Sequence, residues 1–340
     1  MEKDEKPMKI VTFGEVILRL SPHGSLKMTQ ANSLEFYFGG TEMNVAASLA
    51  AFGEKTQHIT NVSNDLVGDA ALAAMRKLNI DVSAINKVDH PMGLYFLEVG
   101  AGLRASKIAY NRLHGAFAHI EPNQVDWENI LKGADFFHWT GITPAISENA
   151  YISLKNGLKV AQKLGVTVTS DPAYRSNLWK YGKDGHEILL ELVGLSTIFI
   201  GGVNEINEIL KTEFDFSKEG FVEASKKLME ECPSIKKVFD KVRTGLSASW
   251  QRVYGRVWTG TTYLETSELE ITDVIDRIGT GDAYAAGLIY GLKRYDDKNA
   301  LEFANAACAL KHTVLGDANL VSVDEVLEIM QGNTGGRIKR

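Results

Sequence analysis

Apolar residues along the chain fall in short runs of strand-forming character that alternate with stretches of helical character. Lys9 to Gly14 predicts a first strand, and Val16 to Leu20 either continues it or begins another. Thr41 to Phe52 is rich in alanine and predicts a helix that ends at Gly53. A strand over Gln57 to Val62 and a helix over Asp69 to Leu78 follow. Further strands are expected at Phe136 to Trp139, Val166 to Ser170 and Thr197 to Ile200, with helices filling the intervals. This alternation implies a mostly parallel sheet covered on both faces. Two regions break the rhythm. Glu15 to Phe38 and Met92 to Tyr110 carry strand-type residues with weak helical character. They could form a small strand layer projecting from the main sheet, or extra edge strands of that sheet. No proline- or serine-rich linker divides the chain, so one principal domain is expected over 9–330. The segment 332–340, glycine-rich and then basic, reads as a solvated tail.

Composition narrows the function classes. Of 340 residues, 44% are hydrophobic and 24% charged, the balance of a soluble globular protein whose core needs no staples. Cys232 and Cys308 lie far apart without metal-ligand spacing and read as reduced thiols. The charged N-terminus, followed by only a short apolar run, does not read as a signal peptide, and no apolar stretch approaches the roughly 20 residues that cross a bilayer. A cytoplasmic location is expected. The net charge of -6 argues against nucleic acid as the main partner, although a few local arginines can still hold a small anion. The eight histidines form no metal cluster, and His138, inside an apolar run, reads as a core residue.

The stretch that carries chemistry is Asp276-Arg277-Ile278-Gly279-Thr280-Gly281-Asp282, followed by the small residues Ala283, Ala285, Ala286 and Gly287. A strand-prone segment, Leu269 to Ile275, precedes it, and a helical segment, Ala283 to Leu292, follows. Glycines at such a turn leave backbone N–H groups unshielded, and these together with the helix dipole favour an anion. Thr280 adds a hydroxyl donor. Asp282 would sit in the first helical turn beside the anion. It is either a helix cap or a base that takes a proton from an attacking hydroxyl. Other glycine-rich signatures do not fit. Tyr284 occupies the third-glycine position of a dinucleotide fingerprint, and neither a phosphate-binding G-x-x-x-x-G-K-[ST] loop nor an H-E-x-x-H pair occurs.

These residues resemble the second signature of the ribokinase-like (PfkB) carbohydrate kinases, D-x-x-G-x-G-D before a small-residue helix. Gly39-Gly40-Thr41-Glu42-Met43-Asn44 is similar to the family's sugar-binding G-G-x-x-x-N stretch, and Asn64 to Gly68 to the segment after it, with Ser63 where a glycine is usual. The resemblance runs from about Lys9 to Met330. It implies a three-layer α/β/α sandwich with a mostly parallel sheet and a small β-strand lid, whose strands would lie within 15–38 and 92–112. It implies transfer of the ATP γ-phosphoryl to a sugar hydroxyl, with Asp282 as base, an anion hole at Gly279, Thr280 and Gly281, and Mg²⁺ at the phosphates. Homo-oligomers formed through the lid, and a monovalent cation near Asp276, are further implications.

Within the family, the opening Gly14 to Pro22, the pair Asp276-Arg277 and the run Asp171 to Trp179 are similar to 2-keto-3-deoxygluconate kinases. That likeness places Gly39, Gly40, Asn44, Tyr95, Tyr110, Arg112 and Arg175 at the sugar. A sugar acid carries a carboxylate that arginine grips with paired hydrogen bonds, which suits Arg112 and Arg175. For ATP the likeness indicates Asn204, Glu205, Arg243, Ser247, Gly279, Gly281, Ala307 and Gly316. The family's N-x-x-E is not clean here, with Gly202 at the asparagine position, so no residue is assigned to the metal. Another sugar or a nucleoside as acceptor, or a non-catalytic sugar sensor on the same fold, are the alternatives.

Overall fold

The computed structural model describes residues 6–245 and 247–335. The end of the tail, 336–340, lies outside the described residues. The first strand, Lys9–Phe13, lies inside a ten-stranded sheet. To one side it pairs in parallel with Lys55–Ile59 and then Ile80–Asp81. To the other side lie Phe136–Thr140, Thr167–Asp171, Ile198–Ile200 and Lys237–Gly245, all parallel. Gln251–Trp258 then turns back antiparallel, and Tyr263–Glu265 and Leu269–Ile271 pair with it.

Both sheet faces are buried, and alternate strand residues supply the two cores. Val11, Phe13, Phe137, Trp139 and Phe199 point to one side, and Ile10, Phe136, Ile198 and Ile200 to the other. Each such side chain contributes about 1.5–3 kcal/mol on burial, before the entropy cost of ordering it. His138 sits in this core, fully buried, with Nδ1 on the Thr169 hydroxyl at 2.9 Å. Burial pushes its pKa down to about 3, so the ring is neutral. Cys232 and Cys308 are free and buried.

Several expected elements shift. Gln57 to Val62 is not one strand: Lys55–Ile59 stays in the main sheet, and Asn61–Ser63 leaves it to pair with Asn86–Val88. The helix expected from Asp69 starts at Leu66, because the Asp65 carboxylate accepts the Val67 and Gly68 N–H groups and caps it there. The strand expected over Leu269 to Ile275 ends at Ile271. The irregular backbone beyond it is satisfied by hydrogen bonds from Val274 to Ser249 and from Ile275 to His312.

The two irregular regions form a separate small sheet in the order Glu35–Gly39, Ile17–Ser21, Gly93–Glu98, Lys107–Asn111. They are a projecting layer rather than edge strands of the main sheet. Among the described residues no helix is long and apolar enough to cross a membrane.

Candidate active site

The helices Thr41–Ala51 and Thr280–Arg294 pack side by side and begin at the same place, a cavity of about 930 Å³ between the main sheet and the small one. Each start depends on a glycine. Gly40 has φ +144°, and a Cβ there would lie 2.0 Å from the Glu15 carbonyl oxygen. Gly279 is left-handed at φ +78°, and its Cβ would lie 2.0 Å from the Asp317 carbonyl oxygen. With Gly279 as cap, the N–H groups of Thr280, Gly281 and Asp282 have no acceptor within the helix. The helix therefore starts three residues earlier than Ala283, and the anion-binding amides belong to its first turn.

Asp282 lies in that turn, buried and lining the cavity. Its Oδ2 accepts a hydrogen bond from Asn44 Nδ2 at 2.7 Å, which joins the two helix starts. Burial is the main cause that pushes its pKa up to about 7. The Asn44 bond opposes the rise, Asp171 and Glu42 add to it, and Lys241 opposes it. A carboxylate poised near neutrality can accept a proton from a hydroxyl.

The other expected residues divide into two groups. Gly40, Asn44, Tyr95, Tyr110, Arg112, Arg175, Asn204, Glu205, Arg243, Gly279, Thr280, Gly281 and Asp282 all line the cavity. Gly39, Ser247, Ala307 and Gly316 are not among its lining residues. Ala307 is wholly buried and packs against Gly287, so its small side chain serves helix packing rather than ATP. Gly316, at φ +89°, donates its N–H to Asp276, and Gly39 faces the Asp317 carboxylate. The Ser247 hydroxyl accepts the Ser249 N–H, within its own turn.

Three side chains have partners that their sequence context does not reveal. The Thr280 hydroxyl donates to the Arg277 carbonyl at 3.1 Å, so it is turned inward rather than offered to the anion. Asn44, expected at sugar hydroxyls, gives its amide to Asp282. Arg112 is ion-paired with Glu15, its Nε lying 2.7 Å from Glu15 Oε2, and lies over the Tyr110 ring. Its pose is thereby fixed before any ligand arrives.

Glu42 and Asp317, to which sequence reading gave no role, complete the walls. Glu42 Oε1 accepts the Thr140 N–H and the Thr140 and Thr143 hydroxyls, pinning the first turn of its helix to the end of strand Phe136–Thr140. Asp317 accepts the Tyr95 hydroxyl at 2.7 Å and Arg19 Nη1 at 2.9 Å. Asp276 Oδ2 takes Arg19 Nη1 at 2.6 Å and the Gly316 N–H, and its Oδ1 takes the Ile278 N–H. A protein cation thus already faces the carboxylate where the resemblance allows a monovalent ion. Arg277 and Arg243 repel each other on one wall, and burial with that repulsion lowers the Arg277 pKa, a pairing that favours an anion. Asp171 and Glu205 stand together in the lining, where burial and the Glu205 charge push Asp171 up to about 6.

Comparison with known proteins agrees with this geometry. The sequence profile described as pfkB family carbohydrate kinase matches residues 8–323. A 2-dehydro-3-deoxygalactonokinase of Haloferax volcanii is 28% identical over 96% of this chain and 98% of its own length. A 5-dehydro-2-deoxygluconokinase of Clostridium perfringens is 29% identical over 91% of this chain and 89% of its own. Among solved structures, the 2-dehydro-3-deoxygluconokinase of Thermotoga maritima superposes with a TM-score of 0.91 at 34% identity, covering 96% of this chain and all of that one. A cavity that joins a near-neutral buried carboxylate to a ring of free helix-start amides is what phosphoryl transfer to a hydroxyl requires, and the match extends through both helix starts. The chain belongs to the pfkB family of carbohydrate kinases and is an ATP-dependent sugar kinase.

Proposed function

We propose that the protein transfers the ATP γ-phosphoryl to the terminal hydroxyl of 2-keto-3-deoxygluconate, giving the 6-phosphate and ADP. The observation that carries the reading is the placing, in one cavity, of Asp282 with Arg175, which forms no ion pair among the described residues, whereas the charge of Arg112 is already met by Glu15. A neutral sugar needs no such cation, whereas a sugar acid brings a carboxylate for it. The relatives named above act on keto-deoxy sugar acids, which supports the same acceptor class.

In this reading Asn44 orients Asp282, and Asp282 accepts the hydroxyl proton as the oxygen attacks phosphorus. The amides of residues 280–282 hold the charge that develops on the transferring group. Tyr95, fixed by Asp317, and Tyr110 flank the sugar. Arg243 and Arg277 take the nucleotide phosphates. Mg²⁺ supplies charge neutralisation at those phosphates when bound. Among the described residues no group of three ligating side chains forms a metal cage. This suits Mg²⁺, which keeps waters and uses one or two carboxylates beside the substrate phosphates. Asp171 and Glu205, crowded like charges in the lining, are the carboxylates that would hold it or its waters.

The test is Mg²⁺-dependent ADP release with 2-keto-3-deoxygluconate, its galacto epimer, 5-keto-2-deoxygluconate, fructose, ribose and adenosine. The keto-deoxy acids should be preferred. Arg175→Ala should raise acceptor KM about tenfold or more, the worth of one charged hydrogen bond. Preference for a neutral sugar would remove the acceptor assignment and leave the kinase. Binding of the acids without ADP release would favour a sensor.

The reading extends to assembly. One face of the small sheet meets the cavity, yet the other face is also apolar, formed by Leu18, Leu20, Phe36, Phe38, Leu94 and Phe96. Phe36 is 61% exposed. An apolar outer face on a projecting sheet supports a homodimer with the two small sheets face to face. Sedimentation should give a dimer, and Phe36→Asp with Phe96→Asp should give monomers; a wild-type monomer at micromolar concentration would reject it. The two free thiols support a cytoplasmic location.

A further inference from the structure

Lys241 lies in the strand Lys237–Gly245, at its cavity end, and lines the cavity. Its neighbour in sequence, Asp240, is not its counter-ion. Asp240 Oδ2 is held by Arg256 Nε at 2.8 Å, and that guanidinium is itself stacked over Phe221. Among the described residues Lys241 forms no ion pair. A half-buried ammonium without a counter-ion is costly unless an anion comes to it.

The position of the ammonium says which anion. Lys241 Nζ is 3.4 Å from where a Cβ on Gly281 would stand, so it hangs over the first turn of the helix Thr280–Arg294. Its charge also acts on Asp282 in that turn, favouring the charged form. Three other cations line the cavity without an ion pair among the described residues, Arg175 and the pair Arg243 and Arg277, which act on each other.

We infer that Lys241 is a catalytic residue that contacts the γ-phosphoryl group of ATP during transfer, beside the amides of residues 280–282. The inference rests on the kinase reading above but not on which acceptor is used. The amides supply neutral dipoles, and Lys241 adds a full positive charge over this turn, whereas the Lys311 ammonium near Gly279 is held by the Val314 carbonyl. As negative charge shifts onto the transferring and bridging oxygens, an ammonium already in place and already desolvated stabilises it without reorganisation. It also shields Asp282 from the phosphate, so the carboxylate can ionise beside an anion.

The test compares ATP and ADP, which differ only in the group that Lys241 is assigned to touch. With Mg²⁺ present, Lys241→Met should weaken ATP binding about tenfold in calorimetric titration while ADP affinity stays within about threefold. Turnover with the acceptor that the wild type prefers should fall about 10²-fold or more, with acceptor KM changed little. Lys241→Arg, which keeps the charge, should recover part of the loss, and it serves as the working variant if the methionine form does not fold. Equal losses of ATP and ADP affinity, or turnover within about threefold of wild type, would overturn the assignment. If the wild type releases no ADP with any acceptor, the kinase reading fails, and the ATP-against-ADP comparison still decides Lys241 on its own.

Discussion

Replacing Asp282 with Asn is expected to lower turnover by about 10²–10⁴-fold, the usual contribution of a positioned general base. The change keeps shape and still offers an oxygen to the Asn44 amide, so acceptor and nucleotide binding should survive it. In the wild type kcat/KM should rise with pH through an apparent pKa near 7, because the base works only when ionised and burial pushes Asp282 to about that value. Asn44→Ala removes the bond that opposes this rise and should move the limb upward. The same residue has a stability signature of opposite sense. Its folded pKa lies above its ordinary value of 3.8, so the folded state holds the proton more tightly than the unfolded chain does. That contribution is fully present below about pH 4 and is lost as pH rises through about 7. Asp282→Asn removes the charge that must be buried at high pH, so its melting temperature should exceed that of the wild type at pH 8, with a smaller difference at pH 5. A variant that turns over within about threefold of wild type would rule out Asp282 as the base.

Arg19→Met should be the most destabilising single change near the site, at about 3–5 kcal/mol, the cost of leaving a buried ion cluster without one partner. Arg19 is 1% exposed and holds Asp276 at 2.6 Å and Asp317 at 2.9 Å with one nitrogen, while its guanidinium lies over the Tyr37 ring. The two carboxylates raise its pKa still further above the ordinary arginine value, against the effect of burial. Without it, Lys311 is the remaining buried cation of the cluster. Burial already lowers the Lys311 pKa, and its ammonium is bonded to the Val314 carbonyl. Urea denaturation at pH 7 should show the loss as a fall in the midpoint at unchanged slope. The loss should shrink at acid pH, where the abandoned Asp317 carboxylate, already pushed up by burial, takes up a proton. Turnover should fall as well, because Asp276 fixes the Ile278 and Gly316 N–H groups on either side of the anion-binding turn. Equal stability of wild type and variant at pH 7 would mean that the cluster contributes no net energy.

The alternating pattern of strands and helices was readable along the chain, because a doubly covered parallel sheet writes its strands as short apolar runs. Phe136 to Trp139 and Thr197 to Ile200 are examples, and the helix from Thr41 is another. The reactive turn was equally plain. Gly279, Gly281 and Asp282 are neighbours in sequence, and a helix start carries its chemistry locally. The strand ends and the early helix starts were less plain, since a cap such as Asp65 acts through a side-chain bond that periodicity does not register.

The partners of the site's charges had no local signature. Glu15 meets Arg112, Asn44 meets Asp282, and Arg19 meets Asp276 across 97, 238 and 257 residues of sequence. Lys241 left one trace, its place beside Asp240 as one of two charged residues in the strand-forming run Val238 to Val242, and nothing in that run says that Arg256 has already taken Asp240. The sequence by itself determined the fold class, the turn that can bind an anion and the carboxylate beside it, since these depend on residues near each other along the chain. Which cations are already occupied, which are left for a ligand, and how far Asp282 is pushed towards neutrality were decided only by tertiary structure. Desolvation and Coulomb interactions depend on distance in space and on the exclusion of water, and the fold alone sets both.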